Sequence, residues 1–162
     1  MNKAEFLSAL DESHEDYLEL LQKLSDEQLI RSNSIGEWSF KDVLVHLSMW
    51  EAEAIKMLFQ ARQGLTPKNL FSANIDENEQ NRVWVEASYD RSLERVMDDF
   101  TIIREQTIRR LDAFTEKELS DPARFPWLHG RSLLSMIQEY ILDHEKMHAK
   151  DLQDWLNRQS IS

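Results

Sequence analysis

Cysteine is absent from this chain, and glycine and proline occur only three times each. The absence of cysteine excludes disulfide frameworks, thiolate metal ligands and cysteine nucleophiles. The scarcity of glycine and proline leaves few places for turns, which favours long helices over a sheet with many connections. No stretch reaches the roughly 18 consecutive apolar residues that a membrane-spanning helix requires. These absences predict a helical protein that does not span a membrane.

Positive charge is also scarce, because 19 Lys and Arg residues stand against 30 Asp and Glu residues and give a formal net charge of -11. No basic cluster marks a phosphate-binding face, so the sequence predicts no nucleic-acid partner and no membrane partner. The N-terminal residues form an amphipathic pattern rather than the apolar segment of a secretory signal, which predicts a cytoplasmic location. The whole chain, 1–162, has a size typical of a single domain.

Apolar residues recur at helical spacing in four long segments of the chain. The spacing predicts an all-α four-helix bundle with helices over residues 3–24, 40–62, 90–114 and 131–158. The connection between the second and third helices, residues 63–87, is far longer than usual and is predicted to contain a short extra helix. Such a connection can carry a crossover that leaves the second and third helices parallel.

Three histidines occupy positions on or beside the apolar faces of these helices. His144 and His148 are four residues apart and therefore lie on one face of the last helix, while His46 lies at the edge of the second helix's apolar stripe. A buried imidazole needs a partner, and one divalent ion would satisfy all three while leaving a position for water or substrate. The competing interpretation is three ordinary core histidines, each hydrogen-bonded to a carbonyl or carboxylate.

Aromatic and polar residues near the histidines are candidates for the rest of a site. Tyr140 and Tyr17 are the candidate catalytic proton donors, and Trp50, His14 and Trp84 are the candidate substrate-pocket residues. For each of these five side chains, ordinary packing in or at the edge of the core is the competing interpretation.

Acidic residues are the natural partners for the second nitrogen of a metal-bound imidazole. Asp143 and Glu145 adjoin His144, but neighbouring residues on a helix point to different faces, so neither is predicted to orient the histidines. Glu51 and Glu53 on the second helix are plausible partners, and they are equally consistent with a solvated surface.

Two segments resemble signatures of the DinB-like four-helix-bundle superfamily. Residues 36–47 (GEWSFKDVLVHL) resemble its GxWSxxDxLxHL motif, and residues 143–148 (DHEKMH) resemble the HxxxH motif of its last helix. The resemblance implies an up-down-down-up bundle, a homodimer, and a divalent ion such as Zn²⁺ or Ni²⁺ held by His46, His144 and His148. It also implies relatives that use a low-molecular-weight thiol as cosubstrate.

Residues 75–96 and Trp127 resemble the ClbS/DfsB-like branch of the same superfamily, which includes a hydrolase that protects against colibactin. The favoured function is a metal-dependent enzyme, of the hydrolase or thiol-S-transferase type, which acts on a small electrophilic molecule in detoxification or stress response. Three alternatives stay open: a non-catalytic protein that binds or sequesters a small molecule, a metal-independent ClbS-like hydrolase, and a helical dimerisation module with structural histidines.

Overall fold

Four long helical segments build the molecule, as the apolar periodicity predicts. The computed structural model describes residues 1–68, 70–71 and 73–161, and the regular elements in these ranges are helical. The helices are α1 (Lys3–Leu21), α2 (Asp26–Ile30), α3 (Phe40–Arg62), α4 (Glu77–Ala87), α5 (Leu93–Asp112), α6 (Glu116–Ser120), α7 (Leu133–Ile137) and α8 (His144–Ile161). A 3₁₀ turn covers Pro126–Leu128, and a π-helix over Gln138–Asp143 joins α7 to α8. The short helix predicted in the long connection is confirmed as α4.

Reciprocal side-chain caps fix the starts of the helices. Before α3, the Asp42 backbone N–H donates to Ser39 Oγ over 3.1 Å, and the Ser39 N–H donates to Asp42 Oδ2 over 2.9 Å. The same arrangement at Ser25 and at Thr115 begins α2 and α6. Each box satisfies backbone donors that would otherwise lack partners at a helix start. The helix that carries His46 therefore begins at its predicted residue.

Substituting Ser39 by alanine is expected to destabilise the fold by about 1 kcal/mol, because the cap of α3 is lost and Ser39 is buried. The melting temperature should fall by about 2–4 °C for a chain of this size. Thermal unfolding followed by circular dichroism measures the change. Ser32→Ala, at an exposed residue outside the helices, is the matched control and should leave the melting temperature unchanged. Equal effects in the two variants would contradict this role of the cap.

Helix ends differ from the prediction where a new cap intervenes. The first helix ends at Leu21 rather than at residue 24, because Ser25 caps a separate helix. The third long helix begins at Leu93, after the cap Ser92, rather than at residue 90. The last helical segment begins after the cap Ser132 and is interrupted by the π-helix.

The core consists of two apolar clusters, and α1 packs along α8 while α3 packs along α5. One cluster includes Phe6, Leu10, Ala54, Leu58, Leu111 and Ile141. The other includes Tyr17, Leu44, Leu47, Phe100, Leu152 and Trp155. Among the described residues, no helix combines the length and the hydropathy needed to cross a bilayer.

A layer of polar side chains lies between the two clusters at one level of the bundle. Each long helix contributes one residue to this polar layer, which we define as His14, Glu51, Arg104 and Glu145. All four side chains are buried, with exposures of 5%, 2%, 2% and 1% respectively. Because a buried charge is costly without a partner, this layer must be internally paired.

Candidate metal centre

The π-helix changes the helical register just before the two histidines of the last segment. A π turn contains more residues than an α turn, so every later residue is rotated relative to an uninterrupted helix. The buried residues that follow Ile141 are Leu142 and Glu145, whereas His144 is only partly buried and lines a cavity. The prediction that His144 occupies a core-facing position is wrong in this respect, because Glu145, four residues after Ile141, takes the buried position instead.

The structure brings the three predicted metal ligands together. Nε2 of His46 lies 2.8 Å from Nε2 of His144, and the available ligand nitrogens of all three residues lie within 4.8 Å of one another. The ring centroid of His148 lies 5.2 Å from that of His46 and 5.0 Å from that of His144. Two distant parts of the chain thus converge on one point at the edge of the bundle.

Asn81 on α4 orients the ring of His46. Its Oδ1 lies 3.0 Å from His46 Nδ1 and 2.7 Å from Trp50 Nε1. An indole nitrogen can only donate, so the atom of Asn81 that faces both rings must be the oxygen. His46 must then donate its Nδ1 proton, which leaves Nε2 with a free lone pair that points at His144.

His144 presents a second ring nitrogen to the same point. Its Nε2 lies 2.8 Å from Nε2 of His46. At this separation either one of the two nitrogens carries a proton that the other accepts, or both lone pairs face a shared cation. This arrangement fits a metal ion.

His148 completes the donor set. Its two ring nitrogens are buried and have no hydrogen-bond partner in the described part of the chain. The nearest carboxylate oxygen, Asp151 Oδ2, lies 3.5 Å from Nδ1, beyond a good hydrogen bond. Unpartnered buried nitrogens are costly, and coordination of a metal ion would satisfy one of them.

Burial keeps all three imidazoles neutral. Desolvation, followed by the neighbouring His144 and His148, lowers the pKa of His46 to about 3, against the opposing hydrogen bond from Asn81. Desolvation and His144 lower the pKa of His148 to about 4, and desolvation also lowers the pKa of His144. Neutral imidazole is the form that binds a metal ion, so the site presents its ligands ready for coordination.

A cavity of about 590 Å³ adjoins the three histidines. Its apolar walls are formed by Trp38, Trp50, Tyr140 and Met147. Its polar lining consists of Glu77, Asn78, Asn81, Glu139 and Asp143. The volume lies within the range of small-molecule sites, and the three histidines are among the residues that line the cavity.

Two of the five other predicted site residues line this cavity. Trp50 and Tyr140 line the cavity. Trp50 lies one helical turn after His46, and Tyr140 lies one turn before His144. Trp84 lies behind the wall, where it packs edge-on against Trp50 with ring centroids 5.1 Å apart. It supports the wall of the cavity and is not among the residues that line it.

The structure places Tyr17 and His14 outside the cavity lining. Tyr17 is fully buried and packs edge-on against Phe100, and burial, with the charges of Glu145 and Asp151, raises the pKa of its hydroxyl. His14 Nδ1 lies 3.1 Å from Glu145 Oε2 in the polar layer. The inward face of α1 meets the core rather than the cavity, so neither side chain reaches a molecule bound there.

The acidic residues have roles that the sequence did not indicate. Glu51 and Glu145 both bind Arg104, which donates from Nε to Glu51 Oε1 over 2.8 Å and from Nη2 to Glu145 Oε2 over 3.0 Å. Arg104 Nη1 also donates to the Leu10 carbonyl over 2.6 Å. Glu53, the other candidate, accepts from a lysine one turn later. None of these carboxylates orients a histidine of the candidate site.

The polar layer carries opposite charges at close range. Burial disfavours the charged guanidinium, but the charges and hydrogen bonds of Glu51 and Glu145 outweigh it and raise the pKa of Arg104. Burial also disfavours the Glu145 carboxylate, but hydrogen bonds from His14 and Ser13 and the charge of Arg104 lower its pKa. Arg104 and Glu145 are therefore both ionised at neutral pH.

Comparison with known proteins decides the family. The sequence profile of the DinB superfamily matches residues 9–152. The chain belongs to the DinB superfamily. No protein of curated function matches the sequence.

Solved structures share the DinB-like fold over nearly the full chain. The colibactin self-resistance protein ClbS, in complex with double-stranded DNA, matches with a TM-score of 0.80 and 16% identity, covering 96% of this chain and 95% of ClbS. DfsB, a sibling lethal factor precursor, matches with a TM-score of 0.81 and 14% identity, covering 98% and 97%. An uncharacterised Escherichia coli UTI89 protein has a TM-score of 0.81 and 19% identity, covering 99% and 96%. These identities support a common fold.

The exclusion of nucleic acid that was drawn from the net charge is wrong. ClbS has this fold and is seen bound to double-stranded DNA. Net charge governs long-range attraction, whereas contact with phosphates depends on the local arrangement of a few side chains. A net charge of -11 therefore does not rule out a nucleic-acid partner for a protein of this superfamily. The homodimer, the helix directions and the location stay predictions.

Proposed function

We propose that this DinB-superfamily protein binds one divalent metal ion through His46, His144 and His148 and acts on a small electrophilic molecule in the adjoining cavity. The observation that carries the proposal is the convergence of three neutral imidazoles whose ligand nitrogens lie within 4.8 Å. The ring nitrogens of His46 and His144 that face one another across 2.8 Å, and the unpartnered nitrogens of His148, each support a cation at this point. Zn²⁺ and Ni²⁺ both suit imidazole ligands.

The surrounding residues give the proposed site its other properties. When bound, a divalent ion supplies Lewis acidity toward an electrophilic group or a thiol. Asn81 holds the ring of His46 from outside the site, and Asp151 Oδ2 lies 3.5 Å from Nδ1 of His148. Tyr140 lines the cavity and is the side chain placed to exchange a proton with a bound molecule. This combination supports a hydrolase or a thiol-S-transferase.

Metal content is the direct test of the proposal. Protein prepared without a polyhistidine tag, loaded with Zn²⁺ or Ni²⁺ and desalted, should retain about one ion per chain by mass spectrometry. His46→Ala, His144→Ala and His148→Ala should each lose the ion. His129→Asn is the matched control, because His129 is exposed in a loop with a positive φ that asparagine tolerates. The control should retain the ion.

The outcomes separate the proposal from its alternatives. Protein that retains no ion, or histidine variants that retain as much as the control, would contradict a metal centre and leave a metal-independent hydrolase or a binding protein. A loaded protein should then be assayed with electrophiles, with and without a low-molecular-weight thiol. Binding without turnover would support a sequestration protein in place of an enzyme.

A further inference from the structure

The lining of the cavity beside the histidines carries negative charge and no positive side chain. Its twelve described lining residues include three carboxylates and no lysine or arginine. Its walls include the rings of Trp38, Trp50 and Tyr140, whose faces carry negative electrostatic potential. Aromatic faces and carboxylates both favour cations, and together they form the usual surroundings of a bound ammonium group.

We propose that this cavity selects molecules that carry a protonated amine beside a flat apolar ring. The inference rests on the proposed function, because it specifies the substrate class of the same cavity. The ring lies between the aromatic walls, the amine lies at the acidic rim, and the reactive group faces the histidines. His148, which is 9% exposed and has unpartnered ring nitrogens, is a second observation that a ligand belongs here.

Two of the rim carboxylates carry this selectivity. Glu139 is already paired, because Arg131 Nη2 lies 2.5 Å from Glu139 Oε2. Glu77 and Asp143 are exposed and have no ion pair with any described residue. These two carboxylates are therefore free to receive a cation, whereas Glu139 already has a cationic partner.

The aromatic wall is rigid enough to recognise a ring. Trp50 is held by its hydrogen bond to Asn81 and by edge-on packing against Trp84. Trp38 lies over His46 with ring centroids 5.2 Å apart, which places an aromatic face beside the proposed metal position. Aromatic wall residues that are already held in place favour the binding of a flat ring, because little side-chain entropy is lost when it binds.

The charge of the whole chain acts in the same direction. A net charge of -11 attracts cations from a distance and repels anions. An anionic thiol with free carboxylates would meet both the repulsive field and the acidic rim. At its acidic rim, the cavity therefore favours an amine-bearing molecule over an anionic thiol as the principal substrate.

A matched pair of probes tests the inference in chelator-treated protein. Tryptamine and indolepropionate have the same ring and a similar chain but opposite charges. Nuclear magnetic resonance titration should give tryptamine about five- to tenfold tighter binding, from one ammonium–carboxylate contact and one ammonium–ring contact. The indole N–H signals of Trp38 and Trp50 should shift. Added salt should reduce the preference, because the rim is exposed.

Variants assign the preference to the two free carboxylates. The double variant Glu77→Gln, Asp143→Asn should lose most of the preference for tryptamine. Glu105→Gln, at an exposed residue of α5, removes one negative charge away from the cavity and should leave the preference unchanged. Equal binding of the two probes, tighter binding of indolepropionate, or shifts confined to other parts of the protein would overturn the inference.

The use of metal-free protein separates this inference from the proposed function. A preference for tryptamine in a protein that retains no metal ion would support the amine-selective cavity and contradict the metal centre. Retention of about one ion without the preference would support the metal centre and contradict the amine selectivity. The metal-content measurement therefore decides the metal centre, and the probe titration independently decides the amine selectivity.

Discussion

Replacing Arg104 by methionine is expected to destabilise the fold by about 3–5 kcal/mol, because it leaves the carboxylates of Glu51 and Glu145 without a counter-charge. Arg104 and both partners are no more than 2% exposed. Burial prevents water from replacing the lost contacts, and the guanidinium also satisfies the Leu10 carbonyl. The melting temperature should fall by about 6–20 °C, measured by calorimetry or circular dichroism.

Two further variants make the Arg104 prediction specific. Arg109→Met removes the same charge from an exposed residue of the same helix and should change stability by less than about 0.5 kcal/mol. Combining Arg104→Met with Glu51→Gln and Glu145→Gln removes the uncompensated charges and should recover a large part of the loss. A loss below about 1 kcal/mol in Arg104→Met would show that the carboxylates find other partners or become protonated at little cost.

The polar layer also connects the fold to the candidate site. Glu51 follows Trp50 on α3, and Glu145 follows His144 at the start of α8. The guanidinium of Arg104 binds both carboxylates, so it fixes the rotation of α3 and of α8 about their axes. In each helix, the residue held in this way adjoins a residue that lines the cavity. The precise approach of α3 and α8 that brings the histidines together therefore depends on a group outside the cavity.

Helix positions followed from the sequence because their signals are local. The cap at Ser39 and the apolar spacing after it predicted α3 correctly, and the two histidines four residues apart fell on one face of α8. The convergence of the histidines of two different helices required the fold, which the motif of residues 36–47 indicated by resemblance. Local signals and a family motif together were sufficient to name the three histidines that converge in the fold.

The polar layer and the orienting residue could not be predicted in the same way. On α5, the apolar residue Ile103 directly precedes Arg104. The apolar spacing of this helix therefore predicted a core face without the arginine. The sequence signal for a buried arginine was helical spacing. Arg104 lies on the same face of α5 as three other residues that are buried in the structure: Phe100, Thr107 and Leu111. Asn81 lies on the mostly exposed helix α4, and only the path of the long connection brings it to His46.

Metal binding is expected to stabilise the folded protein strongly. An ion that binds only the folded state, supplied at about a thousand times its dissociation constant, adds about 4 kcal/mol to the free energy of unfolding. The melting temperature should then rise by about 8–16 °C when Zn²⁺ or Ni²⁺ is added to chelator-treated protein. His148→Ala should abolish the rise, because His148 contributes one of the three ligand nitrogens. A similar rise in this variant would place the stabilising ion elsewhere on the protein.

Asn81 provides a graded version of the same experiment. Asn81→Ala removes the acceptor that fixes the His46 ring, and loss of such an orienting group weakens metal binding by about 10–100-fold. At the same metal concentration, the rise in melting temperature should therefore shrink without vanishing. Asn81→Asp keeps an oxygen acceptor for His46 Nδ1 and Trp50 Nε1 and should preserve most of the rise. If both Asn81 variants respond like the unaltered protein, α4 has no part in holding the metal ligand, and the orientation of His46 must come from the packing of α3 alone.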